Sequence, residues 1–250
     1  YTPGEQPQDK RYIKLNTNEN PYPMSPLAYK AAVKALNSAA LYPDPEATAI
    51  KQAVAKIEGV EADEVFAANG SDEVLAFAYQ AFFDKDKEIL FPDITYSFYP
   101  VYARMFDIPY RQIPLTENYE IDITPYKTPN GGILIANPNA PTGISLPLEA
   151  IRQLAEYNLG SAVVIVDEAY VAFGAESAVK LSKDYPNVLV VRTMSESHSM
   201  AGLRGGYAIG QKHLIQGLNT VKNCINSYVV DRVATAAAAQ SLLDTQHTQE

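Results

Sequence analysis

Side chains able to hold an anion or to manage charge stand just beyond the carboxyl ends of the apolar runs in this 250-residue chain: Ser71 and Asp72, Tyr96, Asn139, Asp167 and Tyr170, Ser195 and Arg204. The densest grouping is Arg192-Thr-Met-Ser-Glu-Ser-His-Ser-Met-Ala-Gly-Leu-Arg204-Gly-Gly-Tyr207, directly after the run Val188–Val191. Hydroxyl and guanidinium donors converging on one point suit a phosphate. A second anion site is suggested by Asn69-Gly-Ser-Asp-Glu73, where a short apolar run meets a glycine turn and a helix start. The first N–H groups of a helix lack partners within it and point at whatever lies ahead. Asp167 ends the most hydrophobic run, Ala162–Val166, and a carboxylate buried there needs a cation or a donor. A pyridine nitrogen answers that need, because the negative charge keeps the ring nitrogen protonated. A protonated pyridine is an electron sink, the property by which pyridoxal phosphate stabilises a carbanion. Tyr96 can then stack on the ring and Tyr170 can reach its phenolic oxygen. Singly, each residue also reads as a cap, a core aromatic or a surface group; their order and placement carry the case.

The elements that must position these residues alternate along the chain. Prolines at 3, 7, 21 and 23 and asparagines at 16, 18 and 20 predict an extended arm over residues 1–25. Helices are expected from Pro26 to about Ser38, from Glu46 to Glu58 before Gly59, from Asn69-Gly-Ser-Asp-Glu73 (capped by Ser71 or Asp72) through Phe83, around Phe98–Met105, from Pro147 to Tyr157, from Lys212 to Lys222 and from Val229 to Leu243. Strands are expected at Val65–Ala68, Glu88–Phe91, Tyr110–Ile113, Ile133–Ala136, Ala162–Val166, Val188–Val191 and Tyr207–Gly210. Strands alternating with helices predict an α/β fold with a mainly parallel sheet between helices. Residues 114–132 read as turn-rich, and 244–250 as a polar end.

Composition narrows the function. A net charge of -9 argues against a nucleic-acid or anionic-membrane surface. The single cysteine, Cys224, allows no internal disulfide and fits a reducing, cytoplasmic setting. No apolar run approaches the ~18–20 residues of a membrane span.

Seven segments occur in an order that resembles the fold-type I pyridoxal-phosphate aminotransferases, and among them the histidinol-phosphate aminotransferases: Lys14–Pro23, Leu41–Pro45, Asn69–Glu73, Pro92–Tyr99, Asn137–Gly143, Val166–Tyr170 and Arg192–Tyr207. The resemblance implies the large cofactor-binding domain of that fold over residues 41–250, with residues 1–40 as an N-terminal arm and first helix on the small-domain side. It implies that the chain stops about where a small C-terminal domain would begin. Ser71, Asp72, Ser195 and Arg204 would cradle the cofactor phosphate, Tyr96 would stack on the ring, Asp167 would pair with the ring nitrogen, and Tyr170 would reach the phenolic oxygen. Tyr42 would extend to the cofactor phosphate of a neighbouring subunit in a homodimer, and Tyr22 would close over the substrate. The implied substrates are histidinol phosphate with imidazole-acetol phosphate, and glutamate with 2-oxoglutarate. No metal ion is expected.

One position departs sharply. The family has Ser-Lys where this chain reads Ser195-Glu196, and the missing lysine is the Schiff-base residue that also moves the proton. A carboxylate cannot condense with an aldehyde, and near a phosphate dianion it either weakens binding or takes up a proton. The chain as written is therefore expected to be nearly inactive. A lesser departure is Ala140 where the family commonly has asparagine before Pro-Thr-Gly, which leaves Asn139 as the candidate for that contact. Competing readings are an aromatic amino-acid aminotransferase, a phosphothreonine decarboxylase relative, and a non-catalytic protein that binds pyridoxal or pyridoxamine phosphate. A nucleotide-binding domain lacks its motifs, since there is neither Gly-x-Gly-x-x-Gly after a strand nor a Gly-Lys-Ser/Thr loop.

Overall fold

A computed structural model describes residues 3–249. The first two positions of the expected arm, and Glu250 at the polar end, lie outside the described residues. Seven strands, β1 (Val65–Asn69), β2 (Ile89–Pro92), β3 (Tyr110–Ile113), β4 (Gly132–Ala136), β5 (Val164–Asp167), β6 (Val188–Thr193) and β7 (Gly205–Ile209), form one sheet in the order β1-β7-β6-β5-β4-β2-β3. The pairs from β6 to β3 are parallel, whereas β7 is antiparallel to both neighbours, so six strands point one way and β7 alone points back. The exception has a local cause. Parallel strands need a crossover of a dozen or more residues, usually through an α-helix, and the short segment between β6 and β7 carries only a 3-10 turn, Ala201–Leu203. The sequence pattern did not reveal this, because a short buried strand looks the same in either direction.

The helices are α1 (Pro26–Leu36), α2 (Thr48–Glu58), α3 (Gly70–Phe82), α4 (Tyr99–Met105), α5 (Leu148–Tyr157), α6 (Val179–Asp184), α7 (Lys212–Ile225), α8 (Arg232–Leu243) and α9 (Thr245–Gln249). Helix α2 starts two residues later than expected, because Ala47 turns left-handed and the Asp44 carboxylate takes the Thr48 N–H. Helix α8 starts at Arg232, where the Asp231 carboxylate accepts from the N–H groups of Val233 and Ala234. Neither α6 nor α9 was expected; both are too short to show a periodic apolar face. Helix α3 packs on β7, β6 and α7, while α1 and α2 pack on α8. Among the described residues, no helix is long and apolar enough to cross a membrane.

Residues 3–25 contain no helix or strand, as expected of the arm. The arm is nevertheless tied to the sheet's strand ends: Asn18 Nδ2 donates to Tyr170 Oη at 3.0 Å, and Asn20 Nδ2 donates to the main-chain oxygen of Glu196 at 2.8 Å.

A close backbone approach lies where β7 crosses the start of α3. A methyl group on Gly206 would stand 2.2 Å from the carbonyl carbon of Gly70 and 2.4 Å from the Ser71 nitrogen, and neither is a side chain that could move aside. Gly206→Ala is expected to destabilise the fold by about 2–4 kcal/mol, as overpacking against backbone does. Urea denaturation of the variant beside the parent chain checks this; a loss below about 0.5 kcal/mol would mean that the contact is loose.

Candidate active site

The strands deliver their polar ends to one place. Ser71, Asp72, Tyr96, Asp167, Tyr170, Ser195, Glu196 and Arg204 line a single cavity of about 130 Å³. It shares Glu196 with a cleft of about 680 Å³ whose other walls include Asn20, Tyr22, Phe173 and His198.

At the cavity floor, Asp167 ends β5 and is 4% exposed. Its Oδ2 accepts from Tyr99 Oη at 2.9 Å and its Oδ1 from the Ala169 N–H at 3.2 Å. Both donors are neutral. Burial pushes the carboxyl up to about 6; the Tyr99 and Ala169 hydrogen bonds restrain the rise, and Asp72 and Glu168 add to it. Tyr99 was not singled out in the sequence as a site residue. Its signal was one helical turn of spacing from Tyr96, and the ring of Tyr99 meets that of Tyr96 edge-on at 5.7 Å.

On one wall, α3 begins at Gly70, so Ser71 and Asp72 lie within its first turn and are not caps. No side chain caps this helix from Asn69; the Glu73 carboxylate accepts from the Asn69 N–H at 2.7 Å instead. The Asp72 carboxylate accepts from Tyr96 Oη at 2.6 Å and from Arg204 Nη2 at 3.2 Å. Burial and then the Asp72 charge hold the Tyr96 hydroxyl well above its ordinary pKa, so it stays a donor that fixes the ring. Gly70 has φ +82°, and a methyl group there would stand 2.6 Å from the Arg204 guanidinium. Only glycine lets that guanidinium lie across the helix start.

The opposite wall comes from the turn between β6 and β7. Thr193 Oγ1 donates to Ser195 Oγ at 2.9 Å and accepts from the Ser195 N–H at 3.0 Å, which fixes the serine; Thr193 is a positioning residue that the sequence reading missed. Arg204 stands in the left-handed region at φ 56°, and its Nη1 reaches Ser195 Oγ at 3.4 Å. Tyr170 is joined to the arm through Asn18. Glu196 extends between cavity and cleft; burial raises its carboxyl pKa, a main-chain N–H and Arg204 oppose that, and Asp167 and Asp72 reinforce it. Its Oε2 is buried without a hydrogen-bond partner.

Three expected site residues lie elsewhere. Asn139 is buried, but its Nδ2 donates to the Ile94 carbonyl and to Thr142, and its Oδ1 accepts from Thr95. Its amide is fully engaged in joining two loops and does not face the cavity. Tyr22 is 74% exposed on the cleft wall, and Tyr42 is 79% exposed with its ring stacked on Tyr228 at 4.7 Å.

The cavity fits pyridoxal phosphate. The Asp167 carboxylate has donors but no cation, which a protonated ring nitrogen supplies; the N–H groups of the first α3 turn, Ser195 and Arg204 suit a phosphate, and Tyr96 gives a flat wall. Without that partner the Asp167 charge is a burden. A carboxyl with a folded pKa above its unfolded value weakens the fold when ionised, fully so above about 6, and the penalty fades as pH falls toward about 4. In ligand-free protein, Asp167→Asn is expected to raise Tm at pH 7, by an amount worth about 2–3 kcal/mol at most, and to lose the gain near pH 4. Melting curves of both proteins across that range check it; a gain unchanged with pH would mean that Asp167 does not titrate there.

Comparison with known proteins agrees with this geometry. Residues 10–250 match the family model described as aminotransferase class I and II. The whole chain aligns at 54% identity with a histidinol-phosphate aminotransferase of Acinetobacter baumannii and at 53% with histidinol-phosphate aminotransferase 1 of Hydrogenovibrio crunogenus, spanning 70% of each. In fold it is similar to the crystal structure of histidinol-phosphate aminotransferase from Sinorhizobium meliloti in complex with pyridoxal-5'-phosphate, with a TM-score of 0.82, 22% identity, and coverage of 93% of this chain and 65% of that one. Strand-end chemistry, fold and sequence converge, and this chain belongs to the class I and II aminotransferases, enzymes that work with pyridoxal phosphate.

Proposed function

We propose that the chain serves amino-group exchange between histidinol phosphate and 2-oxoglutarate, in histidine biosynthesis. The observation that carries this reading is the 54% identity across the whole chain with curated histidinol-phosphate aminotransferases. The residue roles rest on the cavity. The N–H groups of the first α3 turn, Ser71, Ser195 and Arg204 hold the cofactor phosphate. The Asp72 carboxylate, already bonded to Tyr96 and Arg204, orients both and does not touch the anion. Tyr96 lies against the ring, Asp167 keeps the ring nitrogen protonated, and Tyr170 bonds the phenolic oxygen. When bound, the cofactor supplies the electron sink for deprotonation of the amino substrate. Asn139 keeps the loops beside the cavity in place.

The exposed Tyr22 and Tyr42 support a homodimer, with Tyr42 reaching the partner's cofactor phosphate and Tyr22 closing on substrate. The chain divides near residue 40 into the arm with α1 and the cofactor-holding unit. The single cysteine supports a cytoplasmic setting.

Glu196 has no amine to bond the cofactor aldehyde and no base of lysine's kind to carry the proton. Transamination by the chain as it stands is expected to lie on the order of 10³-fold or more below that of Glu196→Lys. Absorbance titration with pyridoxal phosphate, followed by turnover of histidinol phosphate with 2-oxoglutarate, tests both claims. The absorbance change of covalent capture by an amine is expected in the variant alone. Equal turnover by the two proteins would remove Glu196 from the reacting position, and a variant that binds no cofactor would overturn the site.

A further inference from the structure

We infer that this site selects the amine form of its cofactor, pyridoxamine 5'-phosphate, over the aldehyde form, with the Glu196 carboxylate as counter-ion to the ligand's ammonium group. The inference deepens the cofactor reading above and rests on it. Its starting point is an unmet bond: Glu196 Oε2 is buried and has no hydrogen-bond partner. Buried carboxylate oxygens are normally paired, and an orphan one marks a place where a donor is missing. The same side chain lines the cavity that also holds Asp167, Tyr96, Ser195 and Arg204, which puts its carboxylate beside any ligand held there. Among the described residues Arg204 is the only cation along that wall, and its guanidinium already bonds Asp72, Ser195 and the Ala201 carbonyl. The cavity thus holds three carboxylates, Asp72, Asp167 and Glu196, against one arginine.

Two of these carboxylates have assigned partners. Asp72 has Tyr96 and Arg204, and Asp167 has Tyr99, Ala169 and, with ligand bound, the ring nitrogen. Glu196 remains. The two cofactor forms differ at one substituent: an aldehyde, which is neutral and only accepts hydrogen bonds, or an aminomethyl group, which is an ammonium at neutral pH and only donates. An ionised glutamate opposite an aldehyde sets acceptor against acceptor and leaves the orphan oxygen unmet. Opposite an ammonium it forms a charge-assisted hydrogen bond, among the stronger polar contacts available. A lysine there would favour the aldehyde by covalent capture and repel the ammonium, so glutamate inverts the preference at that position. No covalent step is involved.

Calorimetric titration of the full chain with pyridoxamine 5'-phosphate, pyridoxal 5'-phosphate and pyridoxine 5'-phosphate, the neutral alcohol, tests this on the unmodified protein. The amine is expected to bind about tenfold or more tighter than either other form. Glu196→Gln, which keeps the shape and removes the charge, is expected to bring the three affinities within about threefold of one another. Glu196→Lys is expected to favour the aldehyde. Equal binding of amine and alcohol by the unmodified chain would overturn the inference and leave the cofactor site standing, as would an amine preference that survives in Glu196→Gln. Failure of all three ligands to bind any of the proteins would overturn the inference together with the cofactor reading.

Discussion

A carboxylate at the end of a buried strand is the constraint around which this molecule is arranged. Asp167 follows three apolar β5 residues and is almost wholly withdrawn from water, so its charge has to be met by the protein or by a ligand. The protein meets it only partly, with one tyrosine hydroxyl and one main-chain N–H. Placing that hydroxyl engages the aromatic cluster beside it: Tyr99 is held by its position at the start of α4, Tyr79 donates to its carbonyl, and Phe91 and Tyr96 pack on its ring. A substantial part of the core beneath the cavity thus exists in the geometry that presents one oxygen atom to Asp167.

The rest of the site depends on the reversed strand β7. Because the chain turns back after β6, the turn between them stays at the carboxyl edge of the sheet, and Arg204 returns to within reach of Ser195. The same reversal lays Gly206 against the start of α3 and brings Arg204 over Gly70. Fold and site are therefore not separable here: the backbone contact that packs the strand on the helix also sets the distance between the two anion-holding walls. Behind this turn, Arg192 pairs with Glu58 at 2.6 Å and Glu168 at 2.9 Å, which fixes the end of β6 to α2 and to the residue after Asp167. Because withdrawing such charges from water offsets much of their mutual attraction, the pairing contributes little net stability.

The parts of this arrangement legible in the sequence were those set by local pattern. Apolar runs closed by a polar residue located the parallel strand ends, and glycine beside a hydroxyl located the start of α3. Residues placed by distant partners were not legible. Asn139 has the right neighbours in sequence, yet its amide is claimed by Ile94, Thr95 and Thr142, which approach it only in the folded chain. Tyr99 was not singled out because its role depends on the strand beneath it. The direction of β7 was hidden for the same reason: five small and apolar residues carry no mark of the neighbours they pair with.

The arm's attachment to the site has a consequence of its own. Asn20 bonds the main-chain oxygen of residue 196, not its side chain, and Asn18 bonds Tyr170. A carbonyl is present whatever amino acid occupies the position. The shape of the entrance is thereby insulated from the identity of the group that stands at its centre, and lysine, glutamate or glutamine can be exchanged there beneath an unchanged doorway. A scaffold built in this way permits one side chain to redefine what the site does without requiring the surrounding architecture to be redrawn.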